Sequence, residues 1–370
     1  MRPQPKRICI INRNYPPIKG ATGYHASRLV EFLSSSFEVT VVTSGQHDTP
    51  DGVVTTRSVY AGQFKLLRLV GSYIESRRLI AAAIAQRCDF YIVMSDPGLL
   101  NYWAAKLLTG VPYALWTMDI YPAAFTANRL VHSSSRLIQF YRRTLQSNPP
   151  ELLLTLGDRQ RRYLHEIYSG TIQHISFPIG VETLPISVKV AEHNPGSKPI
   201  TIGYVGTLGE AHLPKVIEEI AQSLDPKQHR LVLSMSGKHA SRTIAKVCSY
   251  PGVEITDSLD STAMSQIDVQ VVTLRKSWTH ICVPSKALSA LTYGSAVLYI
   301  GDGDSDSWHY VKPAGWRVSD VDKITTWLED LSMSEIQHRR EKAVIIAEVL
   351  REQLQKSREQ LVAYLASTRA

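Results

Sequence analysis

One stretch in the second half of the chain, VPSKALSALTYGSAVLYIGD from Val283 to Asp302, constrains the fold most. It predicts a Pro-Ser-Lys turn, a helix, a glycine stop and a buried strand. A helix that begins beside a lysine offers unpaired backbone N–H groups and a cation at one point, which favours a phosphate or diphosphate. A second strand, loop and helix, RICIINRNYPPIKGATGYHASRLVEFL, begins at Arg7. Two such units, far apart in the chain, predict two Rossmann-like domains that bind one phosphorylated ligand.

The rest of the pattern supports this fold class. A length of 370 residues favours two domains over one, and short apolar runs alternate with helical patterns, which is typical of a doubly wound α/β sheet. In the first half the predicted strands cover residues 7–12, 38–43, 90–94, 113–116, 152–155 and 172–177, and the predicted helices residues 24–35, 74–86, 99–108, 136–146 and 159–168. In the second half the strand ITIGYV is followed by predicted strands at residues 230–235, 253–255, 269–273 and 296–300, and by a closing helix over residues 334–367.

The glycine-rich loops exclude one common class of Rossmann enzyme. The first reads KGATG, from Lys19 to Gly23, and the second reads GTLG, from Gly206 to Gly209. Neither is the GxGxxG fingerprint that holds a dinucleotide at the first turn of such a domain. A nicotinamide oxidoreductase is therefore rejected.

The formal net charge of +8 is spread unevenly. The stretch from Arg57 to Arg87 has six basic residues and one acid, and the stretch from Asn128 to Arg143 has four arginines and no acid. Both mix arginine with large apolar side chains. They are either two solvated helix faces or a face that contacts anionic lipid or an anionic acceptor. Nucleic acid is not an expected partner, because no nucleic-acid module pattern occurs.

The cysteines and the N-terminus predict a reducing, cytoplasmic setting. Cys9, Cys88, Cys248 and Cys282 are far apart without CxxC spacing, which indicates neither a zinc site nor a disulfide framework. The N-terminus is typical of a first strand and not of a signal peptide, and no apolar run reaches the roughly 18 residues of a membrane span. The aspartates of GDGDSD, which begins at Gly301, lack the bidentate glutamate of a calcium loop, so no metal site is predicted.

Five stretches together, in their order, resemble the retaining GT-B glycosyltransferases of the group-one (family-four) type, particularly bacterial enzymes that build surface polysaccharides. The stretches are YPPIKGATG, SDPGLLNYWAAKLLTGVPYALWTMDIYP, GYVGTLGEAH, VTLRKSWTHICVPSKALSALTYGSAVLYIGD and AGWRV. They are similar to the family's Pro-Pro and Gly-Gly loop, its Asp-x-x-Pro turn, the opening loop of its donor domain, its Pro-Ser-Lys helix and the segment that follows.

The resemblance implies an α/β GT-B fold, with two Rossmann-like doubly wound domains and an interdomain cleft. Residues 1–182 would form the acceptor domain, 183–198 a linker, 199–345 the nucleotide-sugar domain, and 346–370 a helix that packs back on the first domain. The implied reaction transfers a sugar with retention from a nucleotide-sugar, which serves as co-substrate without a further cofactor or metal. The implied acceptor is a saccharide or a lipid-linked molecule, at a cytoplasmic or inner-membrane surface.

The chain departs from the family pattern at several positions. Ile281 and Ser289 stand where the family usually has two glutamates, and Met118 stands where it usually has a histidine. Lys215 and Arg275 are loose candidates for the usual donor-phosphate cations. Two alternatives therefore stay open: a degenerate transferase that binds a glycan or a partner without catalysis, and a GT-B sugar-nucleotide epimerase.

Three residues are the catalytic candidates. Asp119 follows an apolar strand at the carboxyl end of the predicted sheet, where it would accept a hydrogen bond from a substrate hydroxyl, or alternatively shape a turn. His25, beside the first glycine loop, would contact substrate or serve structure. Lys286 would offset leaving-group charge, or alternatively lie in solvent beside a helix capped by Ser285.

The donor-binding candidates lie on the glycine loops or around the Pro-Ser-Lys turn. The glycines would let backbone amides approach a diphosphate, or alternatively serve an ordinary turn. The full set is Gly20, Gly23, Gly206, Thr207, Gly209, Arg275, His280, Pro284, Ser285 and Ser289.

Overall fold

The structure is a computed structural model that describes residues 6–18, 20–45, 51–59, 65–181 and 199–368. The chain forms two compact units, one of Met1–Phe177 with Gln355–Ala370 and the other of Pro178–Leu354. The predicted linker, residues 183–198, and Lys19 of the first glycine loop lie outside the described residues. The domain boundaries given above stay predictions.

The first unit is built on a parallel seven-stranded sheet with the order β3-β2-β1-β4-β5-β6-β7. Its strands are β1 (Arg7–Ile11), β2 (Glu38–Ser44), β3 (Val53–Thr56), β4 (Phe90–Val93), β5 (Tyr113–Trp116), β6 (Leu152–Thr155) and β7 (Gln173–Ser176). Its helices are α1 (Ala21–Leu33), α2 (Lys65–Ala85), α3 (Leu100–Leu107), α4 (Ala123–Ala127), α5 (Arg136–Ser147) and α6 (Asp158–Tyr168). The central strands β4, β5 and β6 are buried along their whole length, because helices cover both faces of such a sheet.

The second unit is built on a parallel six-stranded sheet with the order β10-β9-β8-β11-β12-β13. Its strands are β8 (Ile200–Thr207), β9 (His229–Ser236), β10 (Val253–Ile255), β11 (Val269–Thr273), β12 (Ala296–Ile300) and β13 (Gly315–Val318). Its helices are α7 (Pro214–Ser223), α8 (Ala240–Val247), α9 (Ser261–Ser265), α10 (Ser285–Thr292), α11 (Asp306–Val311), α12 (Ile324–Glu329) and the start of α13 (Met333–Ser367). In both sheets the strand order reverses beside the first strand, so the carboxyl ends there form the crevice in which such folds bind ligands.

Some elements differ from the prediction for physical reasons. The helix that was predicted to begin at residue 74 begins at Lys65. A glycine weakens a helix by about 1 kcal/mol, but the buried Gly71 is accommodated inside α2 and does not end it. The prediction also missed β3 and β13. Both are four-residue strands at sheet edges with incompletely buried patterns, so neither carries the continuous apolar run of a central strand.

The long helix α13 begins in the second unit and ends in the first. In the second unit, the buried Arg340 guanidinium donates to Asp268 Oδ1 at 2.6 Å, to Gly294 O at 3.0 Å and to Ser265 O at 3.1 Å. Its last turns pack in the first unit, where the Tyr364 ring lies 6.0 Å from that of Phe90. Lys6 Nζ donates to the carbonyl oxygen of Leu365, and Ser357 Oγ donates to that of Ser176. The helix is therefore fixed at both ends by polar and apolar contacts.

Candidate functional site

In the first unit, a polar cluster lies just beyond the carboxyl ends of β1 and β4. Arg13 Nη2 is 2.8 Å from Asp96 Oδ1, and Asn14 Nδ2 donates to Asp96 Oδ2 at 2.7 Å. Burial raises the pKa of Asp96, while the positive charge of Arg13 opposes the increase. Glu75, on α2, is 1% exposed, and its burial raises its pKa, while the nearby Ser44 and the charge of Arg13 oppose the increase. The cluster thus combines two carboxyl groups of raised pKa with an arginine that pairs with one of them.

Asp119 lies at the end of β5, in the same unit. Its backbone N–H donates to Ser95 Oγ at 2.9 Å, and its side chain is surrounded by protein yet retains some accessible surface. Burial, and then the negative charge of Asp96, raise the pKa of Asp119 to about 7. The carboxyl group is therefore able to hold or release a proton near neutral pH.

The first glycine loop is explained in part by packing. A Cβ on Gly23 would lie 2.9 Å from the carbonyl oxygen of Asn14, and one on Gly20 would lie 3.3 Å from Asn14 Nδ2. The loop and α1 are therefore too close for a larger residue at position 23. His25, on the same helix, is only 4% exposed, and its ring packs edge-on against Tyr24 at 5.4 Å. Roles for Gly20, Gly23 and His25 at a substrate stay predictions.

In the second unit, Lys286 meets the end of β8. Its Nζ donates to the hydroxyl of Tyr204 at 2.6 Å and to the carbonyl oxygen of Thr207 at 2.8 Å, and lies 4.0 Å from the centre of the Tyr204 ring. Burial lowers the pKa of Lys286 to about 7. Among the residues that the structure describes, no carboxylate forms an ion pair with this lysine. Its hydrogen-bond partners are neutral oxygens, so an anion bound here would restore its charge.

Backbone geometry brings the second glycine loop to this lysine. Gly206 has φ +110°, a conformation that favours glycine, and a Cβ there would lie 3.8 Å from Lys286 Cε. Gly209 accepts a hydrogen bond from the backbone N–H of His212 at 3.1 Å, which closes the loop into a turn. The structure therefore places Gly206, Thr207 and Lys286 together, with Gly209 on the adjoining turn.

The start of α10 corrects one prediction. The N-cap residue is Pro284 and no side chain caps the helix, so Ser285 is its first residue and not its cap. The first backbone N–H groups of a helix lack intrahelical acceptors, and here they lie beside Lys286. Ser289, one turn further, is partly exposed. Ile281, where the resemblance expects a glutamate, is buried at 5% exposure, so this position contributes apolar packing.

His212 was missed from the sequence although it closes the quoted stretch GYVGTLGEAH. Its Nδ1 lies 2.7 Å from the carbonyl oxygen of Thr273 and must donate to it, so its Nε2 is the unprotonated nitrogen. Burial, and then the charge of Lys286, lower the pKa of His212 to about 3. The imidazole is therefore neutral and offers an acceptor near the lysine.

The remaining candidates lie around this loop and the turn after β12. Arg275 stabilises the turn that follows the second glycine loop, because its Nε donates a hydrogen bond to the carbonyl oxygen of His212 at 2.8 Å. His280 Nε2 is 3.8 Å from Asp304 Oδ2, so this histidine contacts the turn after β12. Lys215 is exposed in a cavity that Glu218 and three other acids also line, which disfavours a donor phosphate there.

Arg13, Asp96 and Glu75 are the other residues that the sequence analysis did not select. The first two directly follow apolar runs, and the rule that ligands bind beyond the carboxyl ends of parallel strands would have found them. Glu75 lies within a helix and carries no such signal. Within the described ranges, no group of three or more histidine, cysteine, aspartate or glutamate side chains is arranged to hold a metal ion. No helix of the same ranges is long and apolar enough to cross a bilayer.

Two parallel Rossmann-like sheets, each with polar groups beyond its first strand, define a two-unit, doubly wound class of α/β fold. No protein-family model matches the chain, and no curated protein matches it in sequence. Solved structures do match. The sucrose-phosphate synthase of Thermosynechococcus elongatus aligns with a TM-score of 0.69 and 14% identity over 97% of this chain and 100% of that one.

Two further solved structures agree. WaaG, a glycosyltransferase involved in lipopolysaccharide biosynthesis, aligns with a TM-score of 0.69 and 15% identity over 98% of this chain and 100% of that one. A trehalose-6-phosphate protein from E. coli, bound with UDP-2-fluoro glucose, aligns with a TM-score of 0.68 and 12% identity over 98% and 100%. The chain has the GT-B fold, and the predicted likeness to GT-B glycosyltransferases is confirmed at the level of the fold.

Proposed function

We propose that this protein is a glycosyltransferase that moves a sugar from a nucleotide-sugar donor to an acceptor hydroxyl with retention. One observation carries the proposal: Lys286 is a partly exposed lysine without a carboxylate partner among the described residues, at the start of a helix and against a glycine loop. A cation and free helical N–H groups at one point suit a diphosphate. The likeness to a protein bound with UDP-2-fluoro glucose supports a nucleotide-sugar as the ligand.

The second unit would bind the donor. Lys286 and the first N–H groups of α10 would stabilise the charge that develops on the departing diphosphate, as preorganised donors do in other transferases. Gly206 lets the chain turn there without a side chain in the way. Neutral His212 would accept a hydrogen bond from a donor hydroxyl without adding charge.

The first unit would bind the acceptor. Asp119 would accept a hydrogen bond from the acceptor hydroxyl and orient its oxygen. In the proposed step that oxygen forms a bond to the anomeric carbon while the bond from this carbon to the diphosphate oxygen breaks. The hydroxyl proton passes to the diphosphate oxygen on the same face, so that the configuration is retained. The step requires neither a protein nucleophile nor a metal ion, and metal independence is part of the proposal.

The experiment compares donor turnover in two matched lysine variants. Lys286→Met keeps the length of the side chain and removes its charge, whereas Lys227→Met removes an exposed lysine of the same unit. Release of the nucleoside diphosphate from UDP-, GDP-, ADP- and dTDP-sugars is measured with mixed glycan and lipid acceptors. Lys286→Met should lower turnover by about 10²-fold, the typical effect of removing one charge-stabilising donor. A near-native rate in this variant, with Lys227→Met also unchanged, would contradict the proposal.

The second candidate function is a non-catalytic binding subunit. It is favoured by buried Ile281 and by Ser289, which leave two positions without the carboxylates that the resemblance expects. This candidate predicts binding of a nucleotide or glycan with no turnover of any donor in the panel. Release of nucleoside diphosphate by the wild-type protein, abolished in Lys286→Met, would exclude it.

We propose polysaccharide or glycolipid synthesis as the setting, with the protein peripheral on the cytoplasmic face of a membrane. The support is the exposed basic side chains of Arg77 and Arg78 on α2 and of Arg142 and Arg143 on α5. Co-sedimentation with anionic vesicles at low salt tests this setting, and absence of binding would contradict it.

A further inference from the structure

An apolar groove of ≈ 380 Å³ lies on the first unit among α2, α3, α4 and α5. Its lining includes Val70 and Tyr73 from α2 and Leu137 and Phe140 from α5. These side chains are 49%, 44%, 56% and 52% exposed, respectively. Large apolar side chains gathered in one open groove mark a binding surface, because soluble proteins rarely expose such patches.

The groove joins in space the two basic, apolar stretches that are separate in the sequence. The walls from α2 belong to the stretch from Arg57 to Arg87, and those from α5 to the stretch from Asn128 to Arg143. The one acid of the former stretch, Glu75, is 1% exposed, and the latter has none. The solvent side of both stretches is thus basic and apolar without an acid.

Cations stand on the rim of the groove. Lys106 Nζ lies 5.6 Å from the centre of the Phe140 ring, and Arg77 Cζ lies 5.6 Å from that of Trp103. Arg68 is exposed on α2 and immediately precedes the lining residue Leu69. A ligand that is apolar along its length and negatively charged at one end complements this arrangement.

An aromatic contact leads from the groove towards the polar cluster of the first unit. The ring of Phe125, which lines the groove, lies 4.8 Å from the ring of Tyr121. Burial, and then the neighbouring carboxyl groups of Asp119 and Asp96, raise the pKa of Tyr121, whereas the positive charges of Arg13 and Arg68 oppose the increase. Tyr121 is therefore near both the groove lining and these carboxyl groups, and Arg68 is one of the two cations near it.

We infer that the groove holds the hydrocarbon chain of a lipid-linked acceptor, whose phosphate lies at Arg68 and whose hydroxyl-bearing head lies at Asp119. The inference rests on the proposed transferase function, because it names the class of acceptor for that reaction. A concave groove among four helices suits one chain at a time, whereas a flat amphipathic face would rest on a bilayer.

The test uses farnesyl phosphate as the probe, with inorganic phosphate and farnesol as its two separate halves, in isothermal titration calorimetry. The wild-type protein should bind farnesyl phosphate at least about tenfold more tightly than either half. Leu137→Glu places a charge in the groove and should weaken binding by about tenfold or more. The matched control is Ile345→Glu, which alters an apolar residue with 58% exposure on α13 of the second unit and should bind as wild type.

A second pair of variants tests the anionic end. Arg68→Gln should weaken farnesyl phosphate by about tenfold, since a hydrogen bond to a charged group is lost, and should leave farnesol unaffected. Arg162→Gln, a change of an exposed arginine on α6 of the same unit, should change neither. Nucleotide-induced thermal stabilisation is measured on every variant and should persist.

Three outcomes overturn the inference. The first is no preference of the wild-type protein for farnesyl phosphate over its halves. The second is equal weakening in Leu137→Glu and Ile345→Glu. The third is a self-associated wild-type chain that Leu137→Glu converts to monomer with no farnesyl phosphate bound, which would make the groove an interface between copies. If farnesyl phosphate binds as expected but no nucleotide stabilises the protein, the groove assignment stands and the proposed transferase function fails.

Discussion

Nucleotide binding should weaken as the pH rises from 7.5 to 8.5, because the protonated fraction of Lys286, already the minor one, decreases further over this range. Burial lowers the pKa of the free side chain to about 7. A bound diphosphate would return the pKa towards its ordinary value of about 10.4, since an opposite charge favours the ammonium form. Above pH 7 the site must therefore take up a proton when it binds the anion.

The magnitude follows from this linkage. With a pKa of about 7, the charged fraction of Lys286 in the free protein decreases about eightfold between pH 7.5 and 8.5, so the apparent Kd should increase by about eightfold, or about 1.2 kcal/mol. The phosphate is already ionised over this range, because its second pKa is about 6. The pH dependence of the affinity then reports the ionisation of Lys286 and not that of the ligand.

The assay is calorimetry with the nucleoside diphosphate that stabilises the protein most in a panel of UDP, GDP, ADP and dTDP. Titration at pH 8 in two buffers of different ionisation enthalpy should show uptake of about one proton. Lys286→Arg should bind with little pH dependence, since an arginine stays charged throughout. A flat wild-type affinity from pH 7.5 to 8.5, or the same slope in Lys286→Arg, would refute the reasoning.

Two further predictions concern a buried acid and a buried ion pair. Asp119→Asn should lower turnover. Its melting temperature should nevertheless increase relative to that of wild type between pH 5 and pH 8. The folded-state pKa of Asp119, about 7, lies above the unfolded value. The stability that the protonated carboxyl group contributes to the wild-type protein is therefore present at low pH and is lost as the pH rises through 7. Asparagine does not titrate, so the variant becomes more stable relative to wild type over this range. A constant difference across this range in thermal melts would contradict the assigned pKa. Arg340→Met should destabilise the second unit by about 3–5 kcal/mol in denaturant unfolding, because Asp268 would remain buried without its partner. Lys342→Met, an exposed change on the same helix, should have almost no effect, and equal losses in the two variants would show that the ion pair does not matter.

Most of the fold could be predicted from the sequence, because its central strands are short, fully apolar runs. β4 and β12 are buried at every position, and such runs mark strands covered on both faces. β3 escaped prediction because an edge strand buries only part of its surface. The early start of α2 escaped because Gly71 breaks the local helical pattern, while packing against the sheet overrides the local preference.

The candidate site was less predictable, because its contacts join residues far apart in the chain. Lys286 could be selected because it lies at the start of a predicted helix. Its contact with Tyr204 joins residues separated by 82 positions, and no local pattern indicates it. The ion pair of Arg13 and Asp96 likewise joins two different strand ends, so the sequence offers the position of each residue but not their pairing.

The helix α13 has a practical consequence for dividing this protein. Gln355–Ala370 belong to the first unit, although more than a hundred residues of the second unit precede them in the chain. A fragment that stops at Phe177 would leave Phe90 without the ring of Tyr364 and Ser176 without the hydroxyl of Ser357. Expression of the first unit alone therefore calls for a circular permutation or for co-expression of the C-terminal peptide, and a simple truncation should give an aggregation-prone product.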